Sequence, residues 1–330
     1  MNRFGALLLA AALSVSASYA AEDCAPLKVL ASVDMVPLKS GRIAVPVTVG
    51  GQPTYFILAT AVPMSSIREQ IVAQNHYTSE HSAVKFVDLA GNTSDKLAVV
   101  PSFGLGRLST GSTSLVMTEG NGLPLPDGSV TAGVLGADFL RGYDVDLDFG
   151  GNKLNLISRD RCDVDPVYWK SATMAKLPMT VTDKNKISFV MELDGHRLDT
   201  VLNTGVPMST LNLRVARAVF DIDNDSPGNR PEGRLNKDTP LFSHRFQSLS
   251  AGDLKIENPR LVLLPPLADQ KIRHLEFVTA VHFMPINQQP DLVLGMAELR
   301  HLHLYIDYHH QTLYMTPATP GGDMPGKSPN

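Results

Sequence analysis

A threonine recurs in two matching tetrapeptides, and in the second it follows an asparagine. These are the residues whose types and spacing could support chemistry. Residues 58–61 read Leu-Ala-Thr-Ala and residues 202–205 read Leu-Asn-Thr-Gly, 144 positions further on. Asn203 can orient a water molecule by hydrogen bonding, but neither its amide nor the methyl group of Ala59 exchanges a proton near neutral pH. These segments can therefore bind and position a ligand, and at these positions they lack a general acid or base.

Other ionisable residues are weaker candidates. Asp138, Asp144, Asp146 and Asp148 lie close together in the sequence, but the last three alternate with apolar residues, which is typical of a half-exposed strand. We therefore expect turn-capping and solvent-facing aspartates. Asp199, four residues before Asn203, is expected at the surface as well.

The histidines allow a metal hypothesis. His301 and His303 share one segment and His309-His310 lie in a predicted turn, whereas zinc needs three or four converging ligands with supporting carboxylates. We expect exposed histidines, no metal site and no cofactor. Ser65-Ser66 has no evidently spaced His or Asp partner, so no nucleophile is predicted there.

The tetrapeptides belong to an internal duplication. Residues 43–67 and 187–211 align without a gap, with eight identities in twenty-five positions that include Val-Pro-Met-Ser at 62–65 and 206–209. A second pair, 134–149 and 293–308, aligns with an offset of 159 (295 − 136), so the second copy carries fifteen more residues (159 − 144) between its motifs. The Asp-, Asn-, Pro- and Gly-rich loop 221–240 is the expected insertion.

Alternating apolar residues and Gly- or Asn-containing turns predict β-hairpins throughout, at 43–58, 144–157 and 304–315. Short helices are predicted at 65–73, 137–141, 209–219 and 296–302. The chain is thus predicted to be all-β, with two duplicated lobes.

The duplicated motif resembles that of the pepsin and retropepsin aspartyl proteases, in which an apolar residue precedes Asp-Thr-Gly and a serine follows. An apolar-apolar-Gly triplet stands further downstream, here Leu135-Gly136 and Leu294-Gly295. The similarity is greatest to bacterial exported retropepsin-like proteases with two tandem lobes. It covers nearly the whole chain and implies two acid-protease β-barrel lobes with a central cleft.

The resemblance also implies roles for the motif residues. In the family each lobe supplies one aspartate to a proton-sharing dyad, and the threonines, here Thr60 and Thr204, cross to the opposite lobe. Here the dyad positions are Ala59 and Asn203, and Ala61 replaces the first motif glycine. The supporting residues that remain are Gly205, Ser65, Ser209, Gly136 and Gly295.

A hairpin is predicted at 81–97, and the resemblance makes it the flap over the substrate, with Leu89, Ala90, Gly91 and Asn92 at its tip. Residues 232–247 are either its counterpart in the second lobe or an ordinary surface hairpin.

Three functions remain open. The first is a catalytically inactive homologue that binds an extended peptide or protein segment in the cleft, the second an active aspartic-type endopeptidase, and the third a structural protein with a closed cleft. The loss of both aspartates favours the first, so whether the chain is an enzyme is uncertain, with the balance against it.

The N-terminus predicts export. Arg3 precedes an apolar stretch and small residues near Ala20, which indicates a signal peptide over 1–20 and a periplasmic or secreted protein. Cys24 and Cys162 are the two cysteines, and in an oxidising compartment they predict one disulfide. Free thiols are the alternative.

The predicted organisation is a lobe over 21–165, a linker over 166–171, a second lobe over 172–318 and a disordered tail over 319–330. The net charge of −4, with no long run of one sign, argues against a nucleic-acid partner. No later stretch predicts membrane insertion of the mature chain. We expect a monomer whose lobes form an intramolecular pseudo-dimer, with a peptide or protein segment as its partner.

Overall fold

The computed structural model describes residues 27–87, 93–160, 166–236, 238–266 and 289–318. Strands dominate them. The strands of the first half are β1 (Val29–Asp34), β2 (Val36–Pro37), β3 (Ile43–Val49), β4 (Gln52–Leu58), β5 (Ser66–Arg68), β6 (Thr78–Val87), β7 (Thr93–Val100), β8 (Phe103–Leu105), β9 (Leu108–Thr110), β10 (Thr113–Thr118), β11 (Gly133–Leu135), β12 (Asp144–Asp148) and β13 (Lys153–Ile157).

The second half repeats this series. Its strands are β14 (Ala175–Pro178), β15 (Thr180–Val181), β16 (Ile187–Leu193), β17 (His196–Leu202), β18 (Thr210–Asn212), β19 (Arg230–Asn236), β20 (Thr239–Arg245), β21 (Ser248–Ala251), β22 (Leu254–Glu257), β23 (Arg260–Leu264), β24 (Leu292–Leu294), β25 (Leu302–Asp307) and β26 (Thr312–Pro317). The helices are α1 (Glu69–Gln74), α2 (Ala137–Leu140), α3 (Leu213–Phe220) and α4 (Met296–Leu299).

The sheets confirm the all-β prediction and display the duplication strand by strand. The first ten-stranded sheet has the order β6-β7-β10-β5-β11-β4-β3-β8-β9, with β2 paired to β3. The second has the order β19-β20-β23-β18-β24-β17-β16-β21-β22, with β15 paired to β16. Every strand of one sheet has its counterpart at the same place in the other, so the two copies have the same fold.

A parallel pair positions the tetrapeptides. In the first sheet β4 lies parallel to β11 (Leu58 opposite Leu135), and in the second β17 lies parallel to β24 (Leu202 opposite Leu294). The ends of β4 and β17 are apolar and fully buried, as expected of strands covered on both faces. Each tetrapeptide begins where its strand ends.

A six-stranded sheet joins the halves, in the order β1-β13-β12-β25-β26-β14. Its centre is the antiparallel pairing of β12 with β25, one strand from each copy. The hydrophobic core runs through all three sheets, and Val145 and Leu147 of β12 belong to it.

The expected half-exposed aspartates of β12 are a wrong prediction, because Asp144, Asp146 and Asp148 are all buried. The alternation is real, but the face opposite the core is covered by the segment that contains Tyr168 and Trp169. Asp199 is exposed, as predicted.

The expected site of the insertion is also wrong. Val116 of β10 and Val262 of β23 pair with equivalent residues of β5 and β18, and they stand 146 positions apart (262 − 116). Only two of the fifteen additional residues (146 − 144) therefore precede β23, and the other thirteen lie between β23 and β24. Most of that connection falls in 267–288, outside the described residues.

The predicted hairpins at 43–58, 144–157 and 304–315 are confirmed. The helices predicted to begin at Ser65 and Ser209 begin at Glu69 and Leu213 instead, because short strands form first. In the part of the chain that the structure describes, no helix has the length and apolar character needed to cross a bilayer.

Candidate functional site at the seam between the two copies

The two tetrapeptides meet, and their threonines bind each other's backbone. The Thr60 amide donates to Thr204 Oγ1 (3.1 Å), and the Thr204 amide donates to Thr60 Oγ1 (3.1 Å). Each hydroxyl in turn donates across the contact, Thr60 to the Leu202 carbonyl (3.2 Å) and Thr204 to the Leu58 carbonyl (2.9 Å). All four bonds are buried. We call the contact between residues 58–62 and 202–206 the seam.

The dyad-equivalent positions lie at the seam, where Ala59 and Asn203 are both completely buried. Asn203 Oδ1 accepts a hydrogen bond from the Gly205 amide (2.9 Å), whereas Asn203 Nδ2 has no hydrogen-bond partner among the described residues. Gly205 is required by close approach, because a Cβ on it would lie 2.9 Å from the Cβ of Ala59. The seam thus holds an amide and a methyl group.

Two equivalent turns reach across the seam. In the first copy, Arg42 Nε donates to the Gly205 carbonyl (2.8 Å), and burial lowers the pKa of Arg42. In the second copy, Asn185 Nδ2 donates to the Pro63 carbonyl (3.4 Å). Lys186 follows it, 144 positions after Arg42, and is 2% exposed.

Lys186 differs from Arg42 because its side chain has no acceptor among the described residues. Its Nζ is buried without a hydrogen-bond partner in the described chain. Burial lowers the pKa of Lys186 to about 8, with Lys184 adding to this effect and Asp183 opposing it. A desolvated ammonium group without a partner is unfavourable, which is the reason its pKa falls.

Each copy places one carboxyl group behind its motif serine, half-buried in the first copy and buried in the second. Asp138 accepts hydrogen bonds from the amide (2.9 Å) and hydroxyl (2.8 Å) of Ser65, and Ser65 Oγ accepts from the Gly136 amide (2.9 Å). In the second copy Ser209 donates to Glu298 and accepts from the Gly295 amide (2.8 Å).

Burial raises the pKa of both carboxyl groups, Asp138 and Glu298. Both are engaged by the motif serines, and neither occupies a dyad-equivalent position. They hold the motif loops against α2 and α4. Asp138 is half-buried, and its carboxyl group accepts both hydrogen bonds from Ser65.

Comparisons with known proteins agree with this geometry. Residues 45–139 match the family model described as aspartyl protease. The crystal structure of basic 7S globulin from soybean has a similar fold, with a TM-score of 0.52 and 11% sequence identity over 89% of this chain and 96% of that one. Residues 45–139 are therefore similar to the aspartyl proteases, and the fold of the chain is similar to that of basic 7S globulin. A search of curated proteins found no match to this chain.

Most of the predicted site residues converge in this fold. The residues that the structure brings to the seam or directly behind it are Ala59, Thr60, Ala61, Ser65, Gly136, Asn203, Thr204, Gly205, Ser209 and Gly295. The hairpin predicted at 81–97 is confirmed as β6–β7, and β19–β20 holds the equivalent place in the second sheet; a flap role remains a prediction for both. The tip of the first hairpin, Leu89 to Asn92, lies outside the described residues, as do Cys24 and Cys162, so the disulfide remains a prediction.

The histidine prediction is wrong for one of the four residues. His301, His309 and His310 are exposed, but His303 is buried, with its Nε2 2.7 Å from Asp146 Oδ1 and its ring stacked 3.6 Å from that of Trp169. Within the described ranges no group of three His, Cys, Asp or Glu residues is placed to hold a metal ion.

Sequence reasoning missed three residues of the site. Arg42 and Lys186 stand one position before the aligned segments begin at 43 and 187, so extending the alignment by one residue would have paired them. Glu298 has no such signal. The position equivalent to Asp138 is Ala297, and Glu298 reaches the serine from the next position.

Proposed function

We propose that this aspartyl protease relative does not catalyse peptide hydrolysis and binds an extended peptide or protein segment between its two copies. The observation that carries the proposal is the intact set of hydrogen bonds between Thr60 and Thr204, next to dyad-equivalent positions that hold Ala59 and Asn203. Activating water requires a carboxylate that can take a proton, and an amide cannot. The hydrogen bonds between the two threonines are present, and the carboxylate that would activate a water molecule is not found at positions 59 and 203.

Strand edges support the binding role. β6 and β19 are the terminal strands of the two ten-stranded sheets, and both belong to the flap-type hairpins. The described side chains of β6 are exposed or half-buried along its length. A terminal strand offers unpaired amide and carbonyl groups to which an extended peptide can add as a further strand.

The first experiment tests catalysis. We expect the wild-type protein to leave casein intact from pH 3 to pH 7, and the variant Ala59→Asp/Ala61→Gly/Asn203→Asp to hydrolyse it. Hydrolysis by the wild-type protein that an aspartic-protease inhibitor abolishes would contradict the proposal and establish an active endopeptidase.

The second experiment tests binding. Fluorescence anisotropy of labelled unstructured peptides against the wild-type protein should show saturable binding, which an excess of unlabelled peptide reverses. A folded protein that binds no peptide, and whose restored variant cuts none, would favour the closed-cleft candidate. The complete burial of Ala59 and Asn203 is the observation that favours this second candidate, a structural protein with a closed cleft.

Export is also part of the proposal. The apolar N-terminus supports a cleaved signal peptide and a periplasmic or secreted location. N-terminal sequencing of the mature protein and cell fractionation test this, and a mature protein that begins at Met1 in the cytoplasm would contradict it. Thiol labelling with and without reductant tests the Cys24–Cys162 disulfide.

A further inference from the structure

Three arginines share one face at the end of the second ten-stranded sheet that begins with β19. Arg245 of β20 pairs directly with Arg260 of β23. Arg230 of β19 pairs with Ser243, which lies two residues before Arg245 and so on the same face of β20. Arg230 and Arg245 are exposed, and Arg260 is half-buried. We call Arg230, Arg245 and Arg260 the arginine face, and a ligand can reach it without any movement of the hairpin β19–β20.

Contacts within the arginine face hold Arg260 in place and leave an excess of positive charge. Arg260 Nη1 donates to the Ser243 carbonyl (3.4 Å) and to Ser243 Oγ (3.2 Å), and Ser243 Oγ donates to Glu232 Oε1 (2.6 Å). Partial burial lowers the pKa of Arg260, and the charges of Arg230 and Arg245 lower it further. Glu232 acts in the opposite sense. One carboxylate thus stands beside three cations and offsets only part of their repulsion, which is unfavourable between paired residues of a sheet.

The equivalent place in the first copy shows that the fold does not require this cluster. Val116 of β10 and Val262 of β23 are equivalent, and the strand pairings can be counted from them in both sheets. The residues of the first copy that match Arg230, Arg245 and Arg260 in this way are Glu80, Val99 and Ser114. Ser114 Oγ donates to Glu80 Oε1 (3.2 Å). A carboxylate, an apolar side chain and a hydroxyl group therefore accompany the same strand pairing, so the pairing does not explain the arginines.

Carboxylates are the groups that the arginine face is suited to bind. A guanidinium group binds a carboxylate through two parallel hydrogen bonds, and charge-assisted bonds of this kind are about twice as strong as neutral ones. A carboxylate beside Arg245 and Arg260 also offsets the repulsion between them. Because a single exposed ion pair contributes little, recognition here needs more than one carboxylate.

We propose that the arginine face binds an extended segment of the peptide or protein partner through acidic side chains two positions apart. The inference rests on the proposed function and adds the class of ligand to it. Successive side chains of an extended segment point to opposite faces, so Asp or Glu side chains at i and i+2 reach the same face together. β19 is a terminal strand of its sheet, so such a segment can lie alongside it.

The test uses three labelled peptides about ten residues long with amidated C-termini. One carries two Glu residues at alternate positions, its isomer carries them at adjacent positions, and the third carries Gln at the alternate positions. In about 50 mM NaCl, fluorescence anisotropy should show that the alternate-Glu peptide binds about tenfold more tightly than the Gln peptide. It should also bind about threefold more tightly than its isomer, which has the same net charge. Equal affinity of the two isomers would overturn the inference.

Variants assign the preference to the arginine face. Arg230→Gln/Arg245→Gln should reduce the ratio between the alternate-Glu and Gln peptides to within about twofold. The matched control, Arg197→Gln/Lys255→Gln, removes the same number of positive charges from exposed positions on β17 and β22, toward the other end of the sheet, and should leave the ratio unchanged. If the first variant does not fold, the single change Arg245→Gln serves instead. A ratio that survives the loss of these arginines would overturn the inference.

The same measurements separate this inference from the proposed function. Peptides that bind with no preference for Glu over Gln would refute the inference and leave the proposed function standing. Failure of all three peptides to bind would refute both. Vesicles that contain phosphatidylglycerol provide a further arm: vesicle binding that depends on Arg230 and Arg245, without a preference among the peptides, would assign the arginine face to an anionic lipid surface and overturn the proposal. Absence of vesicle binding together with the expected peptide preference would support it.

Discussion

Replacing Lys186 with methionine should make the protein more stable at neutral pH. Lys186 is 2% exposed and its Nζ has no hydrogen-bond partner in the described residues, so the folded state holds a desolvated charge. Burial lowers the pKa of Lys186 from 10.5 to about 8. A difference of this size between folded and unfolded states corresponds to roughly 3 kcal/mol of destabilisation at pH 7, since each pKa unit is about 1.4 kcal/mol.

Because folding lowers the pKa of Lys186, the destabilisation that it causes depends on pH. The unfolded chain holds the Lys186 proton up to a higher pH than the folded protein does, so stability rises with pH between about 8 and 10.5. Below pH 8 the full penalty is present, and above 10.5 it is gone. Methionine has a similar volume and no charge, so Lys186→Met should gain about 2 kcal/mol at pH 7, after some loss of packing.

Urea unfolding of the wild type and Lys186→Met from pH 7 to pH 10.5 measures the effect. Other groups titrate in both proteins, so the difference in unfolding free energy between them isolates Lys186. This difference should fall by about 3 kcal/mol across the window, so that the advantage of Lys186→Met is lost near its upper end. Lys255→Met, the exposed control, should differ from the wild type by no more than about 0.5 kcal/mol at every pH. A difference that does not change with pH, or a Lys186→Met variant that is less stable than the wild type at pH 7, would refute the reasoning.

Three further predictions concern groups around the seam. Thr204→Val should lower the free energy of unfolding by about 3 kcal/mol, because the Thr60 amide and the Leu58 carbonyl both lose a buried partner; an unchanged urea midpoint would contradict this. Gly205→Ala should destabilise by about 1–3 kcal/mol in the same assay, because its Cβ would lie 2.9 Å from that of Ala59. Glu298→Gln should gain stability relative to the wild type as pH rises from 4 to 7, because burial raises the pKa of Glu298 and so penalises its ionised form; thermal melts at both pH values check this, and a constant difference would count against it.

Most of the fold was predictable because the duplication makes each half a test of the other. The apolar alternation and turn residues placed the hairpins at 43–58 and 144–157, where the structure has them. Spacing alone failed for the insertion. An offset between two motifs says how many residues were added, whereas only strand pairing shows that nearly all of them follow β23.

The sequence did not show that both faces of the six-stranded sheet are covered at β12 and β25. Asp146 and His303 read as half-exposed strand or turn residues, and they became a buried pair because Trp169, from the connecting segment, lies over them. A period of two identifies which residues share a face, and it does not show what covers that face.

By itself the sequence determined that the proton-sharing carboxyl groups are absent, because residue identity at 59 and 203 needs no coordinates. It also determined that the chain carries two equivalent motifs, 144 positions apart. Only the tertiary structure decided that Arg42 has an acceptor while Lys186, its equivalent, has none among the described residues. Such partners come from chain segments more than 140 positions apart, and their distances depend on how the two copies pack.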